Sequence, residues 1–163
     1  MQKKITPFLW FDTQAEQAAK FYVSVFPKSK ILKTARYGEA GPGPKGSVMT
    51  VEFELAGQRM IALNGGPVFK PSEAFSLVID CKDQKEVDHY WNELSKGGEK
   101  SMCGWLKDRY GLSWQVTPTI LIKLISGPDA KKAKRVMEAM LKMQKIDIAA
   151  LKAAARNENE EKS

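Results

Sequence analysis

The most informative stretch of this chain is Met49-Thr50-Val51-Glu52-Phe53-Glu54-Leu55-Ala56-Gly57-Gln58-Arg59-Met60-Ile61-Ala62-Leu63-Asn64. Apolar and polar residues alternate along its first seven positions, which is typical of a half-buried β-strand. The pair Ala56-Gly57 can form a two-residue turn, so the following residues are predicted to return as an antiparallel strand. This turn sets the cross-strand pairs as Leu55 with Gln58, Glu54 with Arg59 and Glu52 with Ile61.

A similar order of elements surrounds this hairpin and recurs after Gly65-Gly66-Pro67. Before the hairpin, we predict a strand over residues 5–11, then a helix, then a strand over residues 31–37. Thr13 and Glu16 have the spacing of a capping box at the start of that helix. After the break, the predicted elements are a strand over residues 75–81, a helix capped by Asp83 and Glu86, weak strands over residues 101–107 and a strand over residues 112–118.

These patterns predict an α+β fold of paired βαβββ modules with a helical C-terminal tail. We assign the first module to residues 1–66, the second to residues 67–118 and the tail to residues 119–163. We expect the three parts to form one structural domain, because 163 residues is an ordinary size for one domain. Surplus apolar surface on a helix commonly marks a partner interface, so the tail predicts a homodimer. The apolar residues concerned are Val136, Met137, Met140, Leu141 and Met143.

The chain is basic, because 26 Lys and Arg residues against 19 Asp and Glu residues give a net charge of +7. Such a charge can favour nucleic acids, membranes or small anions, so its distribution decides between them. The positive residues are spread along the chain, and no aromatic residues alternate with the basic cluster at residues 131–135 to make a stacking platform. The sequence therefore favours a solvated basic surface over a nucleic-acid interface.

Three features bear on the compartment. No apolar run approaches the roughly 20 residues that a membrane span needs, so we expect no membrane association. The first residues lack the apolar core and cleavage site of a signal peptide. Cys81 and Cys103 are too few for a disulfide framework, and we interpret them as reduced thiols that behave as small buried apolar residues. Together these features predict a cytoplasmic protein.

Two motifs carry little chemical information. Residues 41–46, Gly-Pro-Gly-Pro-Lys-Gly, satisfy the spacing G-x-G-x-x-G, but a predicted strand follows them rather than a helix. Pro42 and Pro44 also offer no amide hydrogen to a phosphate, so this loop is either a connection or a flap beside a binding cavity. His89 is the only histidine, which excludes a histidine-rich metal site, and it lies outside the apolar stripe of its helix.

Glu52 and Glu54 are the most notable carboxylates, because they lie on the polar face of an otherwise apolar strand. If that face is exposed to solvent, both are ordinary surface charges. If it lines a cavity, Glu52 is a candidate general base or hydrogen-bond acceptor. The residues alone leave both interpretations open.

Several stretches resemble one known family. Ile5-Thr6-Pro7-Phe8-Leu9-Trp10-Phe11-Asp12 and Ala18-Ala19-Lys20-Phe21-Tyr22 resemble the opening of vicinal-oxygen-chelate proteins, the glyoxalase/bleomycin-resistance/dioxygenase superfamily. Residues 103–116, Cys-Gly-Trp-Leu-Lys-Asp-Arg-Tyr-Gly-Leu-Ser-Trp-Gln-Val, resemble the signature of its PhnB-like branch. That branch often carries the label 3-demethylubiquinone-9 3-methyltransferase. Residues 49–55, 62–67 and 145–151 also fit it.

The resemblance implies curved sheets around a shared cavity, usually in a homodimer, and a divalent metal held by His, Glu or Gln from four strand positions. In this sequence those positions lie within residues 5–7, at Ile61 with Ala62 beside it, within residues 74–76, and at Gln115. Gln115 alone could contribute a ligand, and one neutral amide does not hold Zn²⁺ or Fe²⁺ tightly. We therefore expect no metal and no other cofactor.

These considerations predict a metal-free protein that binds a small planar or anionic ligand in the cavity. The alternative is a lyase, isomerase or transferase in which Glu52 is the general base while Gln115 and Asn64 orient the substrate; the sequence leaves open whether the protein is an enzyme. The methyltransferase label lacks support, because no glycine-rich turn leads from a strand into a helix to hold S-adenosylmethionine. The expected ligand contacts are Thr50, Asn64, Trp105, Ser113 and Gln115.

Overall fold

The computed structural model describes residues 4–156. The chain divides into two compact units, Met1–Ser72 and Glu73–Ser163. Each unit contains one four-stranded sheet and a helix that packs against one face of that sheet. The predicted α+β fold of two βαβββ modules with a helical C-terminal tail is confirmed. That the two modules and the tail form one structural domain stays a prediction.

The first unit contains β1 (Phe8–Phe11), α1 (Ala15–Val25), β2 (Lys30–Arg36), β3 (Val48–Leu55) and β4 (Gln58–Asn64). Its sheet has the order β1-β4-β3-β2, in which β1 is parallel to β4 and the other neighbours are antiparallel. Ala56 and Gly57 both have positive φ angles, 46° and 86°, as a tight two-residue hairpin turn requires. The predicted pairs of Leu55 with Gln58, Glu54 with Arg59 and Glu52 with Ile61 are confirmed.

One face of this sheet forms the core of the first unit beneath α1. Because side chains alternate between the two faces of a strand, every second residue of β1, β3 and β4 is buried there. The buried strand residues are Leu9, Phe11, Val51, Phe53, Leu55, Met60 and Ala62, and α1 adds Ala15, Ala18, Ala19, Tyr22 and Val25.

The start of α1 differs from the prediction. The helix begins at Ala15, and its N-cap residue Gln14 makes no side-chain capping bond, so the predicted capping box of Thr13 and Glu16 is wrong. The backbone N–H of Ala15 donates instead to Oδ1 of Asn64 at 2.7 Å. The side chain of Asn64, at the end of β4, therefore accepts a hydrogen bond from a backbone N–H group at the start of α1 for which the N-cap residue supplies no acceptor.

The second unit contains β5 (Ser76–Cys81), α2 (Gln84–Ser95), β6 (Glu99–Lys100), β7 (Trp105–Lys107) and β8 (Ser113–Pro118), with the sheet order β5-β8-β7-β6. Asp83 caps α2 as predicted, because its Oδ1 accepts from the backbone N–H of Glu86 at 2.9 Å. His89 is exposed on α2. The buried core consists of Val87, Tyr90, Trp91 and Leu94 of α2 with Leu106, Trp114 and Val116 of the sheet.

The tail consists of α3 (Thr119–Ile125), α4 (Ala130–Met140) and α5 (Ile148–Arg156). Leu121, Val136, Ile146 and Leu151 form a buried cluster that holds the three helices together. Residues 157–163 of the predicted tail lie outside the described residues. None of the helices within residues 4–156 has the length and apolar character to span a membrane.

A buried carboxylate organises the turn between β7 and β8. Asp108 is only 3% exposed. Its Oδ1 accepts hydrogen bonds from the backbone N–H groups of Tyr110, at 2.8 Å, and Leu112, at 3.2 Å. Its Oδ2 accepts from the indole Nε1 of Trp114 at 2.8 Å. The carboxylate therefore ties the turn to a tryptophan of the core and fixes which face of β8 is turned toward α2.

We expect Asp108→Ala to lower the free energy of unfolding by about 3 kcal/mol, because it removes the acceptor of three donors, including a buried indole. Asp80→Ala is the control: Asp80 is exposed on β5, and its removal should change the free energy by less than about 0.5 kcal/mol. Urea unfolding followed by circular dichroism measures both. Equally small effects of the two variants would contradict the role given to Asp108.

The two cysteines differ in their environment. Cys81 is fully buried, and this burial raises the pKa of its thiol to about 12, whereas Cys103 is partly exposed. Because the thiolate is the reactive form, Cys81 should be almost inert at pH 8 in the folded protein. We expect iodoacetamide to modify Cys103 well before Cys81, and both equally in concentrated urea. Peptide mass spectrometry measures the rates, and fast labelling of Cys81 without denaturant would refute this expectation.

Candidate functional site

The face of the second sheet that is turned away from α2 carries a group of polar side chains, and we call it the polar face. Its members are Ser76 on β5, Trp105 and Lys107 on β7, and Ser113 and Gln115 on β8. They share a face because Ser113 is paired with both Ser76 and Lys107, while Gln115 is paired with Trp105. The structure thus places three of the predicted ligand contacts, Trp105, Ser113 and Gln115, on one surface.

Two serines on this face have different surroundings. Ser76 Oγ accepts a hydrogen bond from Nε2 of Gln115 at 2.9 Å, which holds the Gln115 amide in one orientation. Ser113 is 1% exposed, and its Oγ is the one buried side-chain polar atom in residues 4–156 without a hydrogen-bond partner. A buried hydroxyl without a partner costs about 1–3 kcal/mol and is rare in folded proteins. Ser113 therefore has an unused capacity to bind a polar atom.

Lys107 lies directly across the strand pair from Ser113 and forms an ion pair with Glu73. The distance between Lys107 Nζ and Glu73 Oε1 is 2.6 Å. This hydrogen bond lowers the pKa of Glu73 and raises the pKa of Lys107, and the nearby charge of Glu99 raises the latter further. Both groups are consequently ionised at neutral pH.

A cavity of about 200 Å³ opens over this part of the polar face. The residues that line it are Glu73, Glu99, Lys100, Ser101, Trp105, Leu106, Lys107 and Ser113. Its lining provides two ammonium groups, two carboxylates, two serines, one of which is buried, and the flat aromatic ring of Trp105. These are the kinds of group that recognise a small polar molecule with a planar part.

Sequence reasoning missed Lys107 and Glu73. The signal for Lys107 was present, because it follows Trp105 by two positions in a strand and must therefore share its face. Glu73 lies in a turn before β5, and nothing in the sequence indicates that it reaches a lysine 34 positions later.

The remaining predicted contacts lie in the first unit, on two different faces of its sheet. Thr50 and Glu52 are partly exposed on the face turned away from α1, opposite Leu63 and Ile61. Asn64 lies on the other face, where Oδ1 caps α1 and Nδ2 donates to the Val48 carbonyl oxygen at 3.0 Å. The structure therefore does not bring Asn64 together with Thr50 and Glu52, and it gives Asn64 a structural role.

The electrostatic surroundings of Glu52 do not favour a general base. Nε of Arg59 donates to Glu52 Oε1 at 2.5 Å, and this hydrogen bond lowers the pKa of the carboxyl group. The sequence register placed Arg59 opposite Glu54, whereas its side chain reaches diagonally to Glu52. A carboxylate with a lowered pKa is a weak base at neutral pH.

A second cavity, of about 390 Å³, lies in the first unit. Its walls include Asp12 and Glu16 near the start of α1, the ring of Tyr37, and Pro44 of the loop between β2 and β3. Tyr37 is held in place because its hydroxyl donates to the Asn64 carbonyl oxygen at 2.5 Å. The loop of residues 41–46 thus borders a cavity and leads into the strand β3. A dinucleotide-binding loop leads instead into a helix, whose N-terminus binds the phosphates, so this loop does not have that function.

The positions that the resemblance assigns to metal ligands do not fit a divalent ion. Ile61 is aliphatic, and Gln115 offers one neutral amide oxygen. Within residues 4–156, no three His, Cys, Asp or Glu side chains come close enough together to hold a metal ion. A neutral amide beside a hydroxyl is a poor donor set for the transition metals of such sites.

Comparisons with known proteins agree with this architecture. The chain matches the family described as 3-demethylubiquinone-9 3-methyltransferase over residues 3–117. A PhnB protein from Bacillus cereus is 36% identical over 72% of this chain and 100% of its own, with a TM-score of 0.66. A protein from Pseudomonas aeruginosa shares the fold at 20% identity, over 72% of this chain and 98% of its own, with a TM-score of 0.61. No curated protein matches the chain.

The matched region contains both sheets and both of the helices that pack on them. It also includes residues 103–116, in which Asp108, Ser113 and Gln115 lie. The chain therefore belongs to the 3-demethylubiquinone-9 3-methyltransferase family, the PhnB-like branch of the vicinal-oxygen-chelate superfamily.

Proposed function

We propose that this protein binds a small planar ligand on the polar face of the second sheet, without a metal ion. The observation that carries the proposal is the buried hydroxyl of Ser113, which has no hydrogen-bond partner among residues 4–156 and belongs to a residue that lines the cavity. A polar atom of a ligand would satisfy this hydroxyl. The free energy that the free protein loses at Ser113 would then be recovered on binding.

The neighbours of Ser113 suit a planar ligand. Trp105 provides a flat apolar surface. Gln115, which is paired with Trp105 on the adjacent strand, carries an amide that Ser76 holds in one orientation. The cavity of about 200 Å³ is smaller than the pockets of about 300–1,000 Å³ that take drug-sized molecules. The ligand is therefore expected to be small. Thr50 lies on the first sheet and is not among the residues that line this cavity, so its role as a ligand contact stays a prediction.

Metal independence follows from the donor set. Gln115 is the one metal-ligating side chain among the four positions, and a single neutral amide oxygen is too few ligands for tight metal binding. We therefore propose that recognition depends on hydrogen bonds and on the aromatic ring of Trp105. Elemental analysis of the purified protein should find no stoichiometric zinc, iron or manganese.

Binding is supported better than catalysis. The alternative enzyme requires Glu52 to accept a proton, but its bond with Arg59 lowers the pKa of the carboxyl group. The methyltransferase in the family's description would require a glycine-rich connection from a strand into a helix. The connections that lead from β1 to α1 and from β5 to α2 are residues 12–14 and 82–83, and neither contains glycine.

We also propose that the protein is a homodimer. Met137 on α4 and Leu141, the residue that follows this helix, are 37% and 57% exposed, whereas Val136 is buried in the tail's own cluster. Light scattering at micromolar concentration should give about twice the chain mass of 18.2 kDa. A mass equal to that of one chain would contradict the proposal.

Ser113→Ala separates a binding role from a structural one. Because the hydroxyl makes no bond in the free protein, we expect the melting temperature to stay unchanged or to rise. We expect binding of two planar probes, benzamide and benzoate, to weaken about five- to tenfold, which corresponds to about 1–1.4 kcal/mol. NMR titration that follows the Trp105 indole and the Ser113 amide measures both affinities.

Ser76→Ala is the matched control on the paired strand. It removes the acceptor of the Gln115 amide, so it should lower stability by about 1 kcal/mol. If Ser113→Ala lowered stability as much as Ser76→Ala and left probe binding unchanged, the polar face would not be the binding site.

A further inference from the structure

We infer that the cavity of the polar face is an anion site for a small aromatic carboxylate, and that Glu73 occupies this anion site when the ligand is absent. The inference rests on the proposed function and names the ligand class of the same site. It follows from a difference between two donors of the site: Lys107 is paired with Glu73, whereas the Ser113 hydroxyl has no partner in the described part of the chain.

Lys107 and Ser113 form a paired set of donors. They lie directly opposite each other on β7 and β8, where side chains of paired residues are about 5 Å apart at Cβ. The two oxygens of one carboxylate can accept from an ammonium group and a neighbouring hydroxyl at the same time. Such a carboxylate would satisfy both donors.

Glu73 satisfies only one of these donors. Its carboxylate accepts from Lys107 at 2.6 Å, while Ser113 Oγ has no partner in the described part of the chain. An oxyanion that reaches deeper than Glu73 therefore gains a hydrogen bond that Glu73 does not make. This difference favours replacement of the internal carboxylate by that of a ligand.

Replacement of Glu73 costs little. Its side chain is 65% exposed and extends from a turn outside the sheet, and exposed ion pairs of this kind contribute little to stability. Lys107, by contrast, is in β7 and its side chain is only 30% exposed. The cation is thus fixed by the sheet, whereas the anion that covers it is displaceable.

The rest of the cavity defines the remainder of the ligand. Trp105 shares the face of Lys107 two positions earlier in β7, so a ring attached to the carboxylate can lie against the indole. The cavity of about 200 Å³ limits this ring to a small aromatic group. Together these features describe an arenecarboxylate.

The test compares benzoate with its neutral isostere benzamide, in the full-length protein and in Glu73→Gln. We expect Glu73→Gln to raise the affinity for benzoate at least tenfold and to change the affinity for benzamide by less than twofold. Lys107→Gln in the Glu73→Gln background should abolish the gain. NMR titration of the Trp105 indole and the Ser113 amide measures each affinity at the site.

Glu99→Gln is the control for charge alone. Glu99 lines the same cavity and acts on Lys107 through its charge, without the ion pair that Glu73 makes. It should raise benzoate affinity by no more than about threefold, as expected for a screened surface charge. An equal gain from Glu99→Gln and Glu73→Gln, or no gain from Glu73→Gln, would overturn the inference.

The outcomes also separate this inference from the proposed function. If benzamide binds and Ser113→Ala weakens its binding, but benzoate has no advantage in Glu73→Gln, the binding site stands and the carboxylate assignment is wrong. If neither probe shifts the Trp105 or Ser113 signals in any variant, both the site and its assignment are wrong.

Discussion

The hydrogen bonds of the buried Asp108 carboxylate are the constraint on which the candidate site depends. By holding the indole of Trp114 and the backbone of the turn before β8, this carboxylate fixes the direction in which each β8 side chain points. Trp114 enters the core against α2, so Ser113 and Gln115 must take the other face. A carboxylate that contacts no ligand thus determines which residues are available to one.

On the polar face, some side chains have hydrogen-bond partners and one buried hydroxyl has none in the described part of the chain. Ser76 and Gln115 bond to each other and need no ligand to be stable. Ser113 is more deeply buried than either of them, yet its hydroxyl lacks a partner within residues 4–156. Folded proteins rarely leave such a group unsatisfied, and a functional role is one of the explanations for those that do. The stability lost at Ser113 is compatible with a protein whose ligand completes its hydrogen bonding.

The sequence correctly predicted the features that depend on the periodicity of apolar residues, namely the order of strands and helices and the register of the first hairpin. The register of the β3–β4 hairpin followed from alternation and a two-residue turn, and it placed Glu52 opposite Ile61 correctly. Contacts between distant residues were not predictable in this way: Asn64 replaces a local cap at Ala15, 49 positions away, and Glu73 reaches Lys107 from a turn. Parity along β8 indicated that Ser113 and Gln115 share a face, but only the structure shows which of their polar atoms lacks a partner.

The account of this protein as a binding protein can be tested most directly by a crystal structure of the chain grown with an aromatic carboxylate such as benzoate. We expect the carboxylate to lie within hydrogen-bond distance of Lys107 Nζ and Ser113 Oγ, with the ring against Trp105 and Glu73 turned away from the lysine. A map in which Glu73 still pairs with Lys107, and in which the compound is absent from the polar face at saturating concentration, would contradict the account.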